Sequence, residues 1–403
     1  MRSYTDRGFS EIPFTKYLDE QSDYRGKTPN KTDSGIRLIT ARNIKMGFIN
    51  YECSKEFIAE SDYDEVMSRG LPKCGDLLFT TEAPLGNVAI VDDKNIALAQ
   101  RVIRFRTNSE KLNNVYALFV MTSDYFQDQI KILSQGLTVQ GIKSSKLNQL
   151  KMFLPSIEEQ HQIVSCLSNE TLRIDNLISE KQNFIKLLQE KRQALISHVV
   201  TKGLNPNVPM KDSGVEWIGE IPEHWVAKKL KNCLSIKNGQ DYKDVETENI
   251  EGSYPVYGSG GEFRRATDYL YDGESVLLGR KGTIDKPMYV NERFWTVDTM
   301  FYSKIHNNSD GKFLYYLSTT LPFDFYQTKT ALPSMTQGDL LNHPVAVPDK
   351  LEQIKIREYI DTQCEIFDEL KAEVLKSVEL LKEHRTALIS AAVTGKIDVR
   401  EMA

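Results

Sequence analysis

Leu154-Pro155-Ser156-Ile157-Glu158-Glu159-Gln160 opens an amphipathic run that continues to Glu190-Lys191-Arg192-Gln193-Ala194-Leu195-Ile196-Ser197. A second stretch, Val347-Pro348-Asp349-Lys350-Leu351-Glu352-Gln353, runs on to Glu383-His384-Arg385-Thr386-Ala387-Leu388-Ile389-Ser390. Both hold one register 193 residues apart, and 8 of the 12 positions in 190–201 carry the same residue one register later. No solenoid has so long a period, so the repeat marks a duplicated unit, a domain followed by a helix.

Within the first stretch Ile163, Leu167, Ile174, Leu177, Phe184, Leu188 and Leu195 recur at steps of three, four or seven. Ile356, Ile360, Phe367, Leu370, Leu381 and Leu388 follow in the second, with Val374 opposite Lys181. This spacing puts the side chains on one seam, the pattern of a helix packed along another helix. Ser156 with Glu159, and Asp349 with Glu352, have the N-cap and N3 spacing that satisfies free backbone N–H groups. Gly203 and Gly395 suit the left-handed residue past a helix end. Each helix is then about 40 residues and roughly 60 Å long at 1.5 Å per residue. Neither seam is stable alone. A compact domain lies between the two, so the chain can return and pair them antiparallel. From periodicity alone, a coil that merely dimerises the protein is an equal reading.

At 403 residues the chain has room for two or three domains. Hydrophobic content of 40% and charged content of 27% are ordinary for a globular protein. No apolar run approaches a membrane span and Met1–Arg7 lacks an apolar signal core, so a cytoplasmic protein is expected. The five cysteines (Cys53, Cys74, Cys166, Cys233 and Cys364) form no Cys-x-x-Cys pair and read as reduced thiols. A net charge of −5 argues against a basic nucleic-acid coat protein but leaves room for local basic faces. Residues 349–390 hold ten acidic against seven basic side chains, so the second helix carries part of that negative charge.

The expected domains are 1–153, 154–203 (first long helix), 204–346 with a Pro/Gly-rich linker at 201–225, and 347–403 (second long helix and tail). In the first domain, strands are predicted at 35–40, 75–81, 87–91, 101–105 and 151–154, and a helix at 112–133. The second repeats the plan: Val276-Leu277-Leu278 echoes Leu77-Leu78, and Phe313–Leu317 parallels 115–119. Ala331–Gln337 likewise parallels the turn at 138–144. The fold class is α+β, two tandem domains of mixed α/β character separated by two long helices, with a pseudo-two-fold internal repeat. The scaffolds agree while the polar loops differ, which suits two different readouts.

Asp212-Ser213-Gly214-Val215-Glu216-Trp217-Ile218-Gly219-Glu220-Ile221-Pro222-Glu223-His224-Trp225 opens the second domain. Together with the Leu-Pro-x-x-x-Glu-Gln-like helix starts, Ala-Leu-Ile-Ser at 194 and 387, and Val393-Thr394-Gly395-Lys396-Ile397-Asp398, this resembles the specificity subunit of type I restriction–modification enzymes, HsdS. The resemblance covers essentially the whole chain. It implies two target-recognition domains on an antiparallel coiled coil, each reading half of a bipartite double-stranded DNA site. It also implies docking of two adenine-N6 methyltransferase subunits and recruitment of restriction subunits. Cofactors would then lie in partners: S-adenosylmethionine in the methyltransferase, ATP and Mg in the restriction subunit, none here. The first domain departs from the pattern, because it lacks the Gly-Val-Glu-Trp entry and Pro13 falls where Trp225 would align.

Base readout needs Arg or Lys for guanine and Asn or Gln for adenine. Candidates in the first domain are Arg37, Thr40, Arg42, Asn43, Thr81, Gln100, Arg101, Thr138, Gln140 and Lys143. In the second they are Tyr257, Ser259, Arg264, Arg280, Lys281, Asp298, Thr299, Ser334, Thr336 and Gln337. Taken singly, each is more often a solvated surface residue. Methyltransferase docking is expected on an outward coil face near Arg192, Ser197, Arg385 and Ser390. A ruler of roughly 60 Å spans at most about 17 base pairs at 3.4 Å each.

Gly258-Ser259-Gly260-Gly261 lacks the Lys-Ser/Thr of a P-loop and reads as a tight turn. Glu369-Leu370-Lys371 resembles a nuclease fragment but reads as a seam leucine flanked by solvated charges. The six histidines show no metal spacing. Methyltransferase motifs are absent from the sequence, so a non-catalytic role is expected. The competing classes are a structural adaptor that binds protein and a self-sufficient modification enzyme.

Overall fold

The structure is a computed structural model, which describes residues 11–24, 29–134, 141–216, 218–323 and 334–399. The chain forms two compact units, Met1–Gln182 with Leu375–Ala403, and Asn183–Val374. No helix among the described residues is long and apolar enough to cross a membrane.

The first unit contains β1 (Glu11–Pro13), β2 (Leu18–Asp23), β3 (Ile36–Ile39), β4 (Phe57–Ile58), β5 (Leu77–Thr81), β6 (Leu85–Ile90), β7 (Ile96–Leu98), β8 (Val102–Thr107) and β9 (Lys151–Phe153). Its short helices are α1 (Tyr63–Val66), α2 (Asn114–Thr122) and α3 (Asp124–Leu133). Strands β2-β8-β5-β6 form an antiparallel sheet, β4-β3-β7 a second sheet with β3 and β7 parallel, and β1 pairs with β9. The predicted helix over 112–133 is two, because Ser123 is extended and its hydroxyl accepts from Phe126 N to start the second. Leu77, Phe79, Ile103 and Phe105 pack against α2, α3 and the long helices in one core. Behind the sheet, Arg104 is fully buried and donates to Asp76 at 2.9 Å, Glu20 at 2.7 Å and Ser22 at 2.8 Å. Burial alone would raise the Asp76 carboxyl, but bonds from Arg106, the Lys73 N–H and Arg104 hold it below the usual range.

In the second unit the strands are β10 (Met210–Asp212), β11 (Glu220–Pro222), β12 (Val226–Lys229), β13 (Leu234–Asn238), β14 (Glu246–Thr247), β15 (Tyr254–Gly258), β16 (Gly261–Ala266), β17 (Tyr271–Gly279), β18 (Met288–Thr296), β19 (Met300–Ile305) and β20 (Pro344–Val347). The order β13-β19-β17-β18 is that of β2-β8-β5-β6 and is antiparallel throughout, and it continues into β15-β16-β14. Registers fix the equivalence. Asp23 pairs with Ile103 as Asn238 pairs with Phe301, and Phe79 pairs with Ile103 as Leu278 pairs with Phe301. At the position of buried Arg104, the second unit carries Tyr302 in a ring cluster with Tyr271 and Phe294.

The same registers correct the alignment at the domain start. Pro13 pairs with Lys151, and Lys229 pairs with Pro344, so Pro13 corresponds to Lys229 and not to Trp225. By count the residue opposite Trp225 is Phe9, which lies outside the described residues, as does Trp217. Trp225 is fully buried beside Gly203 at the end of the first long helix, and its Nε1–H donates to Glu352 Oε1 at 3.2 Å.

The long helices are α4 (Ile157–Lys202) and, after α5 (Gly311–Ser318) and α6 (Gln337–Asn342), α7 (Lys350–Val393). In the first unit the N-terminal part of α4 (Ile163, Leu167, Ile174) packs with the C-terminal part of α7 (Leu388, Ile389, Ala392). In the second, Ile196, Val199 and Val200 of α4 pack with Ile356, Ile360 and Cys364 of α7. The pairing is antiparallel in both units. Arg385 pairs with Asp175 in one, and Arg192 with Asp368, each one register away, in the other. Gly203 and Gly395 end the helices at φ of +79° and +67°.

Two predicted seam residues, Phe184 and Leu370, are instead exposed. Ser156 and Glu159 form the expected reciprocal cap. Asp349 accepts from Glu352 N, but the Glu352 carboxylate turns to His224 and Trp225.

Candidate nucleic-acid interface

Each motif glutamine carries a job that periodicity does not reveal. Gln160 is fully buried; its Oε1 accepts from Asn113 N at 2.8 Å while Nε2 donates to the carbonyls of Lys111 and Pro155, both at 3.0 Å. Gln353, one register later, accepts from Asp310 N at 2.9 Å and donates to Pro348 O at 3.0 Å. Asn113 and Asp310 are the N-caps of α2 and α5. The glutamines therefore fasten each long helix to the helix that backs its own sheet. Each unit also carries a polar hollow.

In the first unit the hollow is lined by Lys31, Thr40, Arg42, Glu56, Gln100 and Arg101 together with small apolar residues. The end of β5 is held from both sides: Thr81 N donates to Arg101 O, and Ile142 N donates to Thr81 O, both at 3.0 Å. Two lining residues adopt the left-handed region without being glycine, Ala83 at φ +44° and Arg101 at φ +75°. Such conformations persist where surrounding bonds impose them, and they concentrate at functional sites. Arg101 Nε lies 2.8 Å from Glu82, and Lys31 lies 2.8 Å from Glu56. Arg42 is exposed and has no ion-pair partner among the described residues.

The second unit has a hollow of its own, lined by Asn238, Arg280, Lys281, Ser334, Thr336 and Gln337. Arg280 N donates to Thr299 O at 2.9 Å and Met335 N donates to Arg280 O at 3.0 Å, repeating the first unit bond for bond. The bridge Lys281–Ser334 matches Glu82–Gly141. The position of an acid in the first unit, Glu82, is thus that of a lysine, Lys281, in the second. Arg280 is anchored by a bond to Asp298 O at 3.1 Å. Lys281 projects freely, with no ion pair among the described residues.

The predicted residues divide into three groups. Thr40, Arg42, Gln100 and Arg101 come together in one hollow, and Arg280, Lys281, Ser334, Thr336 and Gln337 in the other. Asp298 and Thr299 frame the second through their carbonyls, and Lys143 is exposed one residue past Ile142. A further group serves the scaffold. Asn43 is fully buried, accepting from Thr40 N and hydroxyl and donating to Asn50 and Ser54 carbonyls, so its amide faces no groove. Thr81 is buried against Arg101 O. Arg37 sits between the Tyr51 and Phe57 rings and donates to Tyr51 O. Tyr257 is bonded to Glu292, and burial together with that bond raises its phenol well above the usual range. Arg264 pairs with Glu246, and Ser259 lies in the two-residue turn between β15 and β16. Thr138 and Gln140 lie outside the described residues.

The coil candidates also need correction. Arg192 and Arg385 face the partner helix rather than outward, and the Ser390 hydroxyl accepts from Asp124 N at the start of α3. Ser197 is half-buried. Among their exposed polar residues the helices also expose apolar side chains: Leu172, Leu375 and Leu380 in the first unit, and Phe184, Leu187, Tyr359, Ile366 and Leu370 in the second. Leu370 therefore does not hold the seam position expected of it. Sequence reasoning also missed Lys31 and Asn238; Asn238-Gly239 at a strand end was the available signal for the latter.

Among the described residues no group of three or more His, Cys, Asp or Glu could hold a metal. Residues 25–187 and 222–380 each match the family described as type I restriction modification DNA specificity domain. The type I restriction enzyme MjaIX specificity subunit of Methanocaldococcus jannaschii is 25% identical over 371 residues, 86% of this chain and 82% of that protein. The MjaVIII specificity subunit of the same organism is 23% identical, covering 81% and 80%. Among solved structures, a chain from a study of complex assembly and conformational transition of the type I R-M system aligns at a TM-score of 0.74. It has 19% identity, and the alignment covers 96% of this chain and 98% of that one. The HsdS subunit from Thermoanaerobacter tengcongensis aligns at 0.55, also with 19% identity and 97% of both chains.

Proposed function

The chain belongs to the type I restriction modification DNA specificity family, and on that premise we propose that each globular unit reads one half of a bipartite double-stranded DNA target. The observation that carries this reading is a backbone frame built twice by equivalent bonds, with a polar hollow beside it in each unit lined by different side chains. A shared frame gives both units the same approach to a groove, and the exchanged acids, bases and amides give each its own preference. The long helices set the number of unread base pairs between the halves. They also dock methyltransferase subunits, for which the exposed leucines and aromatic residues supply an apolar surface. The methyltransferase flips the target adenine and supplies S-adenosylmethionine chemistry. Restriction subunits bring ATP and Mg. This chain reads DNA and scaffolds its partners.

The test is a single-molecule map of N6-methyladenine in cells that carry the methyltransferase gene, with and without this gene. A bipartite motif methylated only when the gene is present is the expected outcome. Identical maps, obtained while the methyltransferase subunit still copurifies with this chain, would overturn the reading.

A further inference from the structure

Two side-chain pairs occupy equivalent places in the two units. Gln337 Nε2 donates to Asn238 Oδ1 at 2.9 Å, joining α6 to the end of β13. The Ser144 hydroxyl donates to Asp23 at the end of β2. Strand register makes Asn238 the counterpart of Asp23, and the 193-residue repeat makes Gln337 the counterpart of Ser144. One position thus holds a braced amide in the second unit and a braced carboxylate in the first.

Resting on the function proposed above, we propose that Asn238, oriented by Gln337, is the residue with which the second unit recognises an adenine. Asn238 is exposed and lines the same hollow as Arg280 and Lys281. Its backbone cannot drift: Gly239 N donates to Met300 O at 3.0 Å, and a Cβ on Gly239 would fall 2.1 Å from Val297 O. With Gln337 Nε2 as the donor, Asn238 turns its Oδ1 towards α6. That bond leaves both Nδ2 protons and a second Oδ1 lone pair, so Asn238 can donate to adenine N7 and accept from N6. The Asp23 carboxylate offers only acceptors, which suits a cytosine N4 amine and not the adenine pattern.

The parent chain and its variants are each co-expressed with the methyltransferase subunit, and the methylated motif is read by sequencing. N238A relaxes a single adenine position in one half-site, lowering discrimination there about 5- to 150-fold, and leaves the other half intact. N238D shifts that position towards cytosine. A motif in both variants identical to the parent's, or relaxation spread over both halves, overturns the assignment. If N238A methylates nothing, Q337A decides, since it removes only the brace: a relaxed adenine supports the assignment and an unrelaxed one overturns it. A parent chain that yields no bipartite motif would instead remove the proposed function on which the assignment stands.

Discussion

Two buried glutamines show how much one side chain can bind together. Removing Gln160 leaves Asn113 N and two carbonyls without partners inside the protein. The desolvation cost of orphaned groups predicts that Gln160→Ala destabilises by about 2–4 kcal/mol, and Gln353→Ala by a similar amount. Urea midpoints measure this, and a change under about 0.5 kcal/mol in both would discard the account. His343 is a second residue-scale case. Burial pushes its imidazole down to about 4, whereas the unfolded chain holds it near 6.5. The folded value is the lower one, so its contribution is complete above pH 6.5 and is lost as pH falls from there towards about 4. The loss amounts to about 3 kcal/mol. Leu150, one register earlier, is a buried leucine in the same setting. His343→Leu is therefore expected to flatten that slope while changing stability at pH 7.5 by less than about 1.5 kcal/mol. An undiminished slope in the variant would assign it to other groups. None of this was legible beforehand, because a motif glutamine and a lone histidine look alike in sequence whether buried or solvated.

At the scale of elements the sequence was far more transparent. Strands at 36–39, 77–81 and 102–107 and both long helices appear where alternation and three–four spacing put them. Helix 112–133 was misjudged in one respect: a serine that caps α3 interrupts it. Phe184 was misjudged for a geometric reason. A straight helix drifts about 20° per heptad against a seven-residue repeat, so a seam extrapolated from Ile163 points elsewhere three heptads later. The consequence is an exposed pair, Phe184 and Leu187, on one helix face. Replacing both by glutamate (F184E with L187E) is expected to weaken methyltransferase-subunit capture at least about tenfold, equivalent to roughly 1.4 kcal/mol, without lowering the thermal midpoint. Undiminished capture would move the docking face elsewhere.

For the whole molecule, duplication was legible from the 193-residue register, while the hollows were not, because they join segments far apart in sequence such as Thr40, Gln100 and Arg280 with Met335. Arg42 and Lys281, one in each hollow, have no ion-pair partner among the described residues. If each meets a phosphate, replacing both with alanine lowers the dependence of log affinity on log salt by about two. Salt titration of DNA binding by the assembled complex measures that slope, and an unchanged value would mean that neither touches the backbone.

The first unit draws its core from both ends of the chain: Phe14 and Leu77 share it with Leu388, Val393 and Val399. The second is contiguous, Asn183–Val374. On the ribosome, then, the order of synthesis and the order of completion are reversed. The second unit has every residue of its own core once Val374 has emerged. The first, although begun earlier, must keep the apolar stripe of α4 at Ile163, Leu167 and Ile174 uncovered until α7 is nearly finished, and in that interval it is the part of the nascent chain a chaperone would hold.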